Sequence, residues 1–308
     1  MQVSVAYIAV LLIWSTTPLG IVWSSESINP TMAVLLRMLI AVVLGGMIIF
    51  IRNIELPWHK EALRLYSYSA LGIFGGMSFS YLAASYLPSG VLSLVFGLAP
   101  VMSAILARRI LAEPKITTLR KLSMLLSFMG LALVCADNFS LNGDSIYGLM
   151  YVLIAVFLFS LSGVLVKSVS LAIHPMATTV GALSLALPLF IINWLFLDGS
   201  LDTSQWQLRS IWATVYLGVF GSLIGFFAYF FVLQRLTAST VALITLVTPI
   251  IALTLGAVLN DEVINSKLIF GALLVISGIA IYHWGESLVS KFQRKVYIQK
   301  KVPEKRNS

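Results

Sequence analysis

The feature that most constrains this chain is a succession of apolar stretches, each about 20 residues long, separated by only a few polar residues. A helix needs about 20 mostly apolar residues to cross the hydrocarbon core of a bilayer. By that criterion the sequence predicts an all-α integral membrane protein with ten transmembrane helices, near residues 5–23, 32–51, 65–87, 90–111, 119–136, 146–166, 176–197, 211–233, 238–259 and 268–284. The short connections predict that consecutive helices are antiparallel neighbours and leave no extramembrane domain.

Composition agrees with a lipid environment. Apolar residues make up 59% of the chain and Asp, Glu, Lys and Arg together only 10%, whereas a soluble domain carries about 25% charged residues. The expected partners are therefore the lipid bilayer and a small-molecule substrate. The net charge of +8 does not indicate nucleic-acid binding, because the basic residues are confined to one set of loops and the C-terminal tail.

The distribution of Lys and Arg predicts the orientation. With the N-terminus inside, seventeen Lys and Arg residues fall in the inner loops and the tail, and only Arg209 and Lys267 fall in outer loops. The positive-inside rule then places both termini in the cytoplasm, and we expect a bacterial inner (plasma) membrane protein. Residues 287–308 are interpreted as a basic cytoplasmic tail near anionic lipid, disordered from Ser290 onward.

Two halves of the chain resemble each other. The first covers 1–137 and the second 145–286, and each is predicted to hold five helices. Leu87–Glu113 aligns with Leu236–Glu262 without a gap, at a constant offset of 149 residues. Five is an odd number, so the second copy enters the membrane from the opposite face. Inverted repeats of this kind are typical of secondary transporters.

Several short motifs occur in a characteristic order. They are Trp14-Ser15-Thr16-Thr17-Pro18, then Pro30 with Arg37, then Ala99-Pro100 through Leu111-Ala112-Glu113, and its echo Thr248-Pro249 through Asp261-Glu262. Over about 280 of the 308 residues the chain resembles the EamA family of the drug/metabolite transporter superfamily. The resemblance implies export of amino acids or related amphipathic metabolites through a central cavity that the two repeats open alternately. The second repeat departs from the pattern, because Ala182 stands where Arg37 would be repeated.

A mixture of aromatic and weakly polar side chains is predicted to line that cavity, which suits a small amphipathic solute. The candidate substrate-cavity residues are Trp14, Thr17, Phe79, Tyr81, Phe96, Phe159, Ser162, Tyr229 and Thr245. A packing or lipid-facing role remains the alternative for each aromatic residue.

Pro100 and Pro249 lie in the middle of the fourth and ninth predicted spans. A proline within a helix removes one N–H donor and frees the carbonyl four residues earlier, here those of Phe96 and Thr245. We interpret both prolines as kinks that widen the centre and act as flexible points. A static kink filled by packing is the alternative.

Arg37 is the only charged residue well inside a predicted span. A cation at that depth is costly, so it should face protein or a watery cavity. It could bind a substrate carboxylate, cap freed carbonyls, or reach the outer headgroups. A structural role is favoured over substrate contact.

Glu113 and Glu262 end the fourth and ninth predicted helices on opposite faces of the membrane. Both suit gate contacts, with Lys115 or Lys267 as partners, and ordering a turn at the interface is the alternative. The sequence places no Asp, Glu or His in the centre of any span, whereas proton-driven carriers usually hold such a group at depth. It therefore favours facilitated diffusion or exchange over tight proton coupling.

The sequence lacks the motifs that enzymes and nucleotide-binding proteins need. No hydrolase, metalloprotease or nucleotide-binding motif is present, so we expect no enzyme activity, no cofactor and no metal. Cys135 is the single cysteine and is interpreted as a packing residue. The alternatives that the sequence leaves open are a multidrug or organic-cation efflux carrier and a channel-like facilitator. The oligomeric state is also open, and a monomer fits the sequence.

Overall fold

The computed structural model describes residues 2–112, 117–138, 144–171, 173–235 and 238–301, without the side chains of 135–138, 233, 238–243, 245–246, 283 and 288–301. The described part is helical. Its elements are α1 Val3–Ser24, α2 Pro30–Ile51, α3 Lys60–Ala84, α4 Ser89–Phe96, α5 Ala99–Ile110, α6 Thr118–Asn138, α7 Ser145–Lys167, α8 Pro175–Leu197, α9 Leu208–Tyr216, a π-helical segment Leu217–Ile224, α10 Gly225–Leu233, α11 Ala238–Leu259 and α12 Ser266–Lys301.

Six helical segments among the described residues are long and apolar enough to cross a membrane: Val3–Ser24, Pro30–Ile51, Ser89–Ile110, Ser145–Lys167, Pro175–Leu197 and Leu208–Val232. Val247–Leu259 and Ser266–Tyr282 are shorter apolar stretches. Helix α3 spans 25 residues, but its serines, glycines and tyrosines dilute its apolar character. The structure therefore supports a protein with several transmembrane helices, and the number ten stays a prediction.

Large apolar side chains cover the outer faces of these helices. Phe50, Phe196 and Trp212 are 84%, 86% and 67% exposed. A water-soluble protein rarely leaves so many large apolar groups on its surface, whereas lipid accepts them because helices satisfy their own backbone hydrogen bonds.

The two halves begin their second helices in the same way. Pro30 and Pro175 are the first residues of α2 and α8, a position where proline loses no helical hydrogen bond. The preceding side chains, Asn29 and His174, each accept a hydrogen bond from a backbone N–H of the first turn, at 3.0 and 3.2 Å.

Helix packing pairs the halves with each other. Helix α6 packs chiefly on α12, α2 on α8, and α4 on α11. Helix α3 packs on α7, and α1 packs on the unit formed by α9, the π segment and α10. Each of the first three pairs joins a helix of one half to the corresponding helix of the other half. The last two pairs correspond to each other, because α1 matches α7 and α3 matches the unit formed by α9, the π segment and α10. An approximate twofold axis between the halves requires this pattern.

Contacts between loops also follow the predicted sides. At the end predicted to face outward, Trp23 donates to Asn260 at 2.8 Å and Arg209 forms an ion pair with Glu26 at 2.5 Å. At the opposite end, Arg120 pairs with Glu286 at 3.3 Å, and the hydroxyl of Thr117 also donates to Glu286. These contacts join helix ends and loops that the predicted helix count places on the same side.

The C-terminal region differs from the prediction. Helix α12 runs for 36 residues to Lys301, so the expectation of disorder from Ser290 is wrong as far as Lys301. Lys, Gln and Arg are good helix formers, and extending a helix that is already formed costs far less than nucleating one.

Candidate functional site

A central cavity lies between the two halves, and about 800 Å³ of space free of protein atoms is found there when its open mouth is included. Helices from both halves contribute to its wall. The lining residues are Trp14, Thr17, Pro18, Ile21, Arg37, Met77, Ser80, Leu92, Ser93, Phe96, Ala99, Phe159, Gly221, Phe226 and Thr248. The wall is thus largely apolar and aromatic, with a few hydroxyls and one cation.

Four of the residues predicted to line a cavity do so here: Trp14, Thr17, Phe96 and Phe159. The rings of Trp14, Phe96 and Phe159 form one cluster with the ring of Tyr229. The ring centroids of Trp14 and Tyr229 are 5.0 Å apart, those of Trp14 and Phe159 6.1 Å, and those of Phe96 and Phe159 6.2 Å. Edge-to-face and tilted arrangements at such distances are the favoured aromatic geometries.

Ser162 and Tyr229 line a second, smaller cavity of about 380 Å³. This cavity shares Phe159 and Phe226 with the central one, so these two rings stand between them. The hydroxyl of Ser162 donates to the carbonyl oxygen of Tyr68 at 2.6 Å, which ties α7 to α3.

Phe79 and Tyr81 lie away from both cavities, which corrects their predicted position. Phe79 packs against Tyr151 with ring centroids 6.1 Å apart, and Tyr81 is 1% exposed, with its hydroxyl oxygen 3.5 Å from that of Ser24. Met77 and Ser80 face the central cavity instead. Successive helical residues are rotated by about 100°, so neighbours of a lining residue point elsewhere. The side chain of Thr245 lies outside the described residues.

Thr17 reaches the cavity, but its hydroxyl hydrogen is already used. The hydroxyl donates to the carbonyl oxygen of Ile13 at 2.7 Å. The next residue, Pro18, lies inside α1 and has no N–H, so the carbonyl of Trp14 loses its usual helical donor. Helix α1 therefore presents a hydroxyl oxygen and this carbonyl close to the cavity wall.

Arg37 is the charged residue of the cavity wall. It lies about 10 Å along α2 from Pro30, at 1.5 Å per residue, and is only 1% exposed. Its Nε donates to the hydroxyl oxygen of Ser222 at 2.7 Å. Its Nη1 is buried without a hydrogen-bond partner among the described residues. Such burial excludes the predicted alternative in which Arg37 reaches the lipid headgroups.

The π-helical segment gives the guanidinium its space. A Cβ added to Gly221 would lie 3.0 Å from Nη2 of Arg37, and one added to Gly218 would lie 3.1 Å from the carbonyl oxygen of Arg37. Short π-helical stretches inside α-helices occur often at functional sites. Two glycines and a widened turn thus allow α2 to approach this segment closely.

The fourth predicted span is broken before Pro100. Helix α4 ends at Phe96 and α5 begins at Ala99, with Gly97 and Leu98 donating to carbonyls three residues earlier at 3.1 and 3.0 Å. Pro249 instead lies inside the continuous helix α11. The two matching prolines therefore have different local structures, and their role as flexible points stays a prediction.

Glu262 binds the start of another helix. Its carboxylate oxygens accept hydrogen bonds from the backbone N–H groups of Ser89 and Gly90, at 2.9 and 3.1 Å. These are the first N–H groups of α4, which have no partner within their own helix. The carboxylate thus holds α4 to the end of α11, and a lysine partner for it stays a prediction.

The backbone before this glutamate is shared by both repeats. Asp261 and Ala112 occupy the left-handed region, with φ of +49° and +53°, and they are matched in the repeat alignment. Such a residue ends a helix and turns the chain sharply. Glu113 itself lies outside the described residues.

Several lining residues escaped the sequence analysis: Ile21, Met77, Ser80, Leu92, Ser93, Phe226 and Thr248. They are ordinary apolar or hydroxyl residues in apolar helices. The helical spacing of Met77 and Ser80, and of Leu92, Ser93 and Phe96, would have grouped them on single faces. Composition alone could not say which face looks inward.

Comparisons with known proteins agree with this architecture. The profile of the EamA-like transporter family matches the chain twice, at residues 3–136 and 146–284. A protein of Archaeoglobus fulgidus called an uncharacterized transporter is 28% identical over 87% of this chain and 94% of its own length. The uncharacterized transporter YoaV of Bacillus subtilis is 24% identical over 90% and 95%. The uncharacterized inner membrane transporter YedA of Escherichia coli is 25% identical over 88% and 87%.

A solved crystal structure shares the fold. It superposes with a TM-score of 0.65 over 91% of this chain and 95% of that chain, at 17% sequence identity. The two family matches together cover most of the sequence. The chain belongs to the EamA-like transporter family.

Proposed function

We propose that this protein is a secondary transporter that exports small amphipathic metabolites, amino acids or related compounds, through the central cavity. The observation that carries the proposal is the cavity itself, which lies between the two halves and is lined by aromatic and apolar residues from both. Pockets of this composition, with a few polar groups, bind small organic solutes.

The transport path is proposed to cross the membrane within ten helices arranged as two inverted five-helix repeats, 1–137 and 145–286. The two separate family matches, the exchange of helix pairs between the halves and the contacts among same-side loops support this arrangement. Both termini are proposed to lie in the cytoplasm of a bacterial cell, with the protein in the inner membrane. The name of YedA, an inner membrane transporter, agrees with this location.

The two cavities support a proposal of alternating access. The central cavity lies toward the end predicted to face outward, and the smaller one lies along α3 and α7 on the other side of Phe159 and Phe226. Movement of these rings, as the halves rock, would connect the substrate to one side at a time. The glutamate-held contact between α4 and α11 would open and close with the same motion.

The mode of energy coupling is proposed to be facilitated diffusion or exchange. Among the described residues, Arg37 is the charged residue buried within the helices, and no buried carboxylate is available there as a proton carrier. Counterflow that follows an imposed pH gradient, at a fixed substrate gradient and clamped membrane potential, would contradict this part of the proposal.

Counterflow in proteoliposomes tests the function. Purified protein is reconstituted, the vesicles are loaded with one unlabelled compound at a time, and uptake of the same labelled compound is followed for phenylalanine, tryptophan, lysine and glutamate. Saturable uptake that is stimulated by internal substrate, for the aromatic amino acids and not for lysine or glutamate, is the expected result. Unsaturable flux would indicate a pore instead of a carrier.

Topology is tested separately with reporter fusions. Reporters placed after Arg120 and after Arg235 are expected to lie in the cytoplasm, and one placed after Asn260 outside. Reporters at Arg120 and Arg235 on opposite sides of the membrane would exclude the two-repeat arrangement.

A further inference from the structure

We propose that Arg37 forms the anion subsite of the central cavity, and that the protein recognises organic monocarboxylates with an apolar body. This inference rests on the proposed transport function and narrows its substrate class. Arg37 is one of the residues that line the cavity, and Nη1 of its guanidinium would donate to a carboxylate oxygen of the bound solute.

The first support is that the protein buries the guanidinium of Arg37 and holds it in a defined position. Arg37 is 1% exposed, its Nε is held by Ser222 at 2.7 Å, and its Nη1 is buried without a partner among the described residues. Buried polar groups in proteins are almost always hydrogen-bonded. A guanidinium that is held in orientation, belongs to a residue of the cavity wall and keeps one unpaired donor is therefore prepared for a ligand acceptor.

The second support is the absence of a countercharge. No Asp or Glu lines the central cavity among the described residues, and none forms an ion pair with Arg37 there. Within the described lining, the positive charge of Arg37 is therefore uncompensated. This charge attracts an anion and disfavours the organic cations that the sequence left open as substrates, because like charges in a poorly solvated site repel strongly.

The third support is the rest of the wall, which decides the chemical class. Trp14, Phe96, Phe159 and Phe226 surround the cavity with rings, and these match an apolar or aromatic body better than a small inorganic anion. A single guanidinium supplies one planar set of donors, the geometry of a carboxylate. A doubly charged phosphate would require more positive charge than the described lining offers.

The ammonium group of an amino acid has no ionic partner in this lining. It could be held by oxygens, such as the hydroxyls of Ser80, Ser93 and Thr248, or by the faces of the aromatic rings. The carboxylate is thus the group that recognition requires, and the ammonium group is accessory. An acid without the amino group should therefore be transported about as well as the amino acid.

The experiment compares compounds of one shape and different charge. Counterflow of 3-phenylpropanoate, 3-phenylpropanamide, 3-phenylpropylamine, 2-phenylethyl phosphate and phenylalanine is measured in proteoliposomes containing the full chain, with chloride as the inorganic competitor. We expect the carboxylate and phenylalanine to exceed the amide and the amine by about tenfold or more, the factor that a charge-assisted hydrogen bond supplies. We expect chloride at equal concentration not to compete.

Variants then assign the preference to Arg37. Arg37→Gln should reduce the ratio of carboxylate to amide transport about tenfold, whereas Ser222→Ala, which keeps the charge and releases Nε, should reduce it less. Arg209→Gln, in an exposed ion pair with Glu26, is the control and should leave the ratio unchanged. Because both fluxes come from one preparation, loss of folded protein lowers both and does not alter the ratio.

The outcomes separate the two proposals. If no compound shows counterflow, the proposed function fails and the subsite fails with it. If the amide or the amine moves as fast as the carboxylate in the wild type, the carrier stands and the carboxylate subsite is wrong, whether or not the variants fold. A preference for the phosphate, effective competition by chloride, or an unchanged ratio in Arg37→Gln would also overturn it.

Discussion

Among single residues, Arg37 marks the clearest difference between the two halves. Ala182 occupies the matching place in the second repeat, so the charge occurs once. The residues that hold Arg37 come from the other half of the chain: Ser222 accepts its Nε–H, and Gly221 leaves space for Nη2. One repeat thus supplies the cation, and the other supplies the residues that position it.

Gly221→Ala tests how tightly the residues around the guanidinium of Arg37 are packed. The new Cβ would lie 3.0 Å from Nη2 of Arg37 and 3.2 Å from a methyl group of Leu217. We expect thermal unfolding in detergent to show a loss of about 1–3 kcal/mol, the usual effect of overpacking. Gly46→Ala is the matched control, because a Cβ there meets nothing within 4 Å. Equal effects of the two substitutions would show that the side chain of Arg37 can shift without cost.

At the element scale, the matching prolines are not equivalent. The helix is interrupted at Gly97 and Leu98, before Pro100, whereas α11 continues through Pro249. A proline alone therefore does not determine such a break. Two local features accompany the break. One is Gly97, and the other is the hydrogen bond that the hydroxyl of Ser160 donates to the carbonyl oxygen of Ala99 at 3.1 Å.

Pro100→Ala should join α4 and α5 into one helix, because residue 100 regains an N–H that can donate to Phe96. We expect a more stable protein, by up to about 3 kcal/mol, with greater protection of the amides of residues 97–102 in hydrogen exchange and a slower counterflow rate. Pro249→Ala is the comparison and should gain less, since α11 is already continuous there. A faster or unchanged rate would contradict a role of the break in movement.

Glu262 shows how one side chain can connect two elements of different repeats. Glu262→Ala removes the acceptor for the N–H groups of Ser89 and Gly90. We expect a loss of about 1–2 kcal/mol, as for the removal of other helix N-terminal caps, measured by thermal unfolding. Glu262→Gln keeps one acceptor oxygen and should lose less. Glu55→Ala, at an exposed position, is the control and should have little effect.

At the scale of the whole molecule, Phe159 and Phe226 separate the two cavities. Phe159→Ala should connect them and produce a leak: flux without internal substrate should rise relative to counterflow in the same vesicles. Phe157→Ala, on the same helix and 40% exposed, is the control and should preserve the ratio. A Phe159→Ala variant with an unchanged ratio would mean that the rings do not form the barrier.

Much of the architecture could be predicted from the sequence. The predicted spans 32–51, 146–166 and 176–197 lie within one or two residues of α2, α7 and α8. The site was predicted less well: Trp14, Thr17, Phe96 and Phe159 line the central cavity, while Phe79 and Tyr81 lie elsewhere. The aromatic residues are too numerous for their type alone to separate cavity from packing positions.

Helical structure, the repeat and the family were determined by the sequence itself, because an apolar run in lipid must form a helix to satisfy its own backbone, and because duplicated letters can be compared directly. Only the tertiary structure decided which face of each helix looks inward, that Ser222 holds Arg37, and that Glu262 binds the first turn of α4. Those partners lie 185 and 173 residues apart. Such contacts depend on the rotation of each helix about its axis, which is set by packing against helices that are remote in the chain.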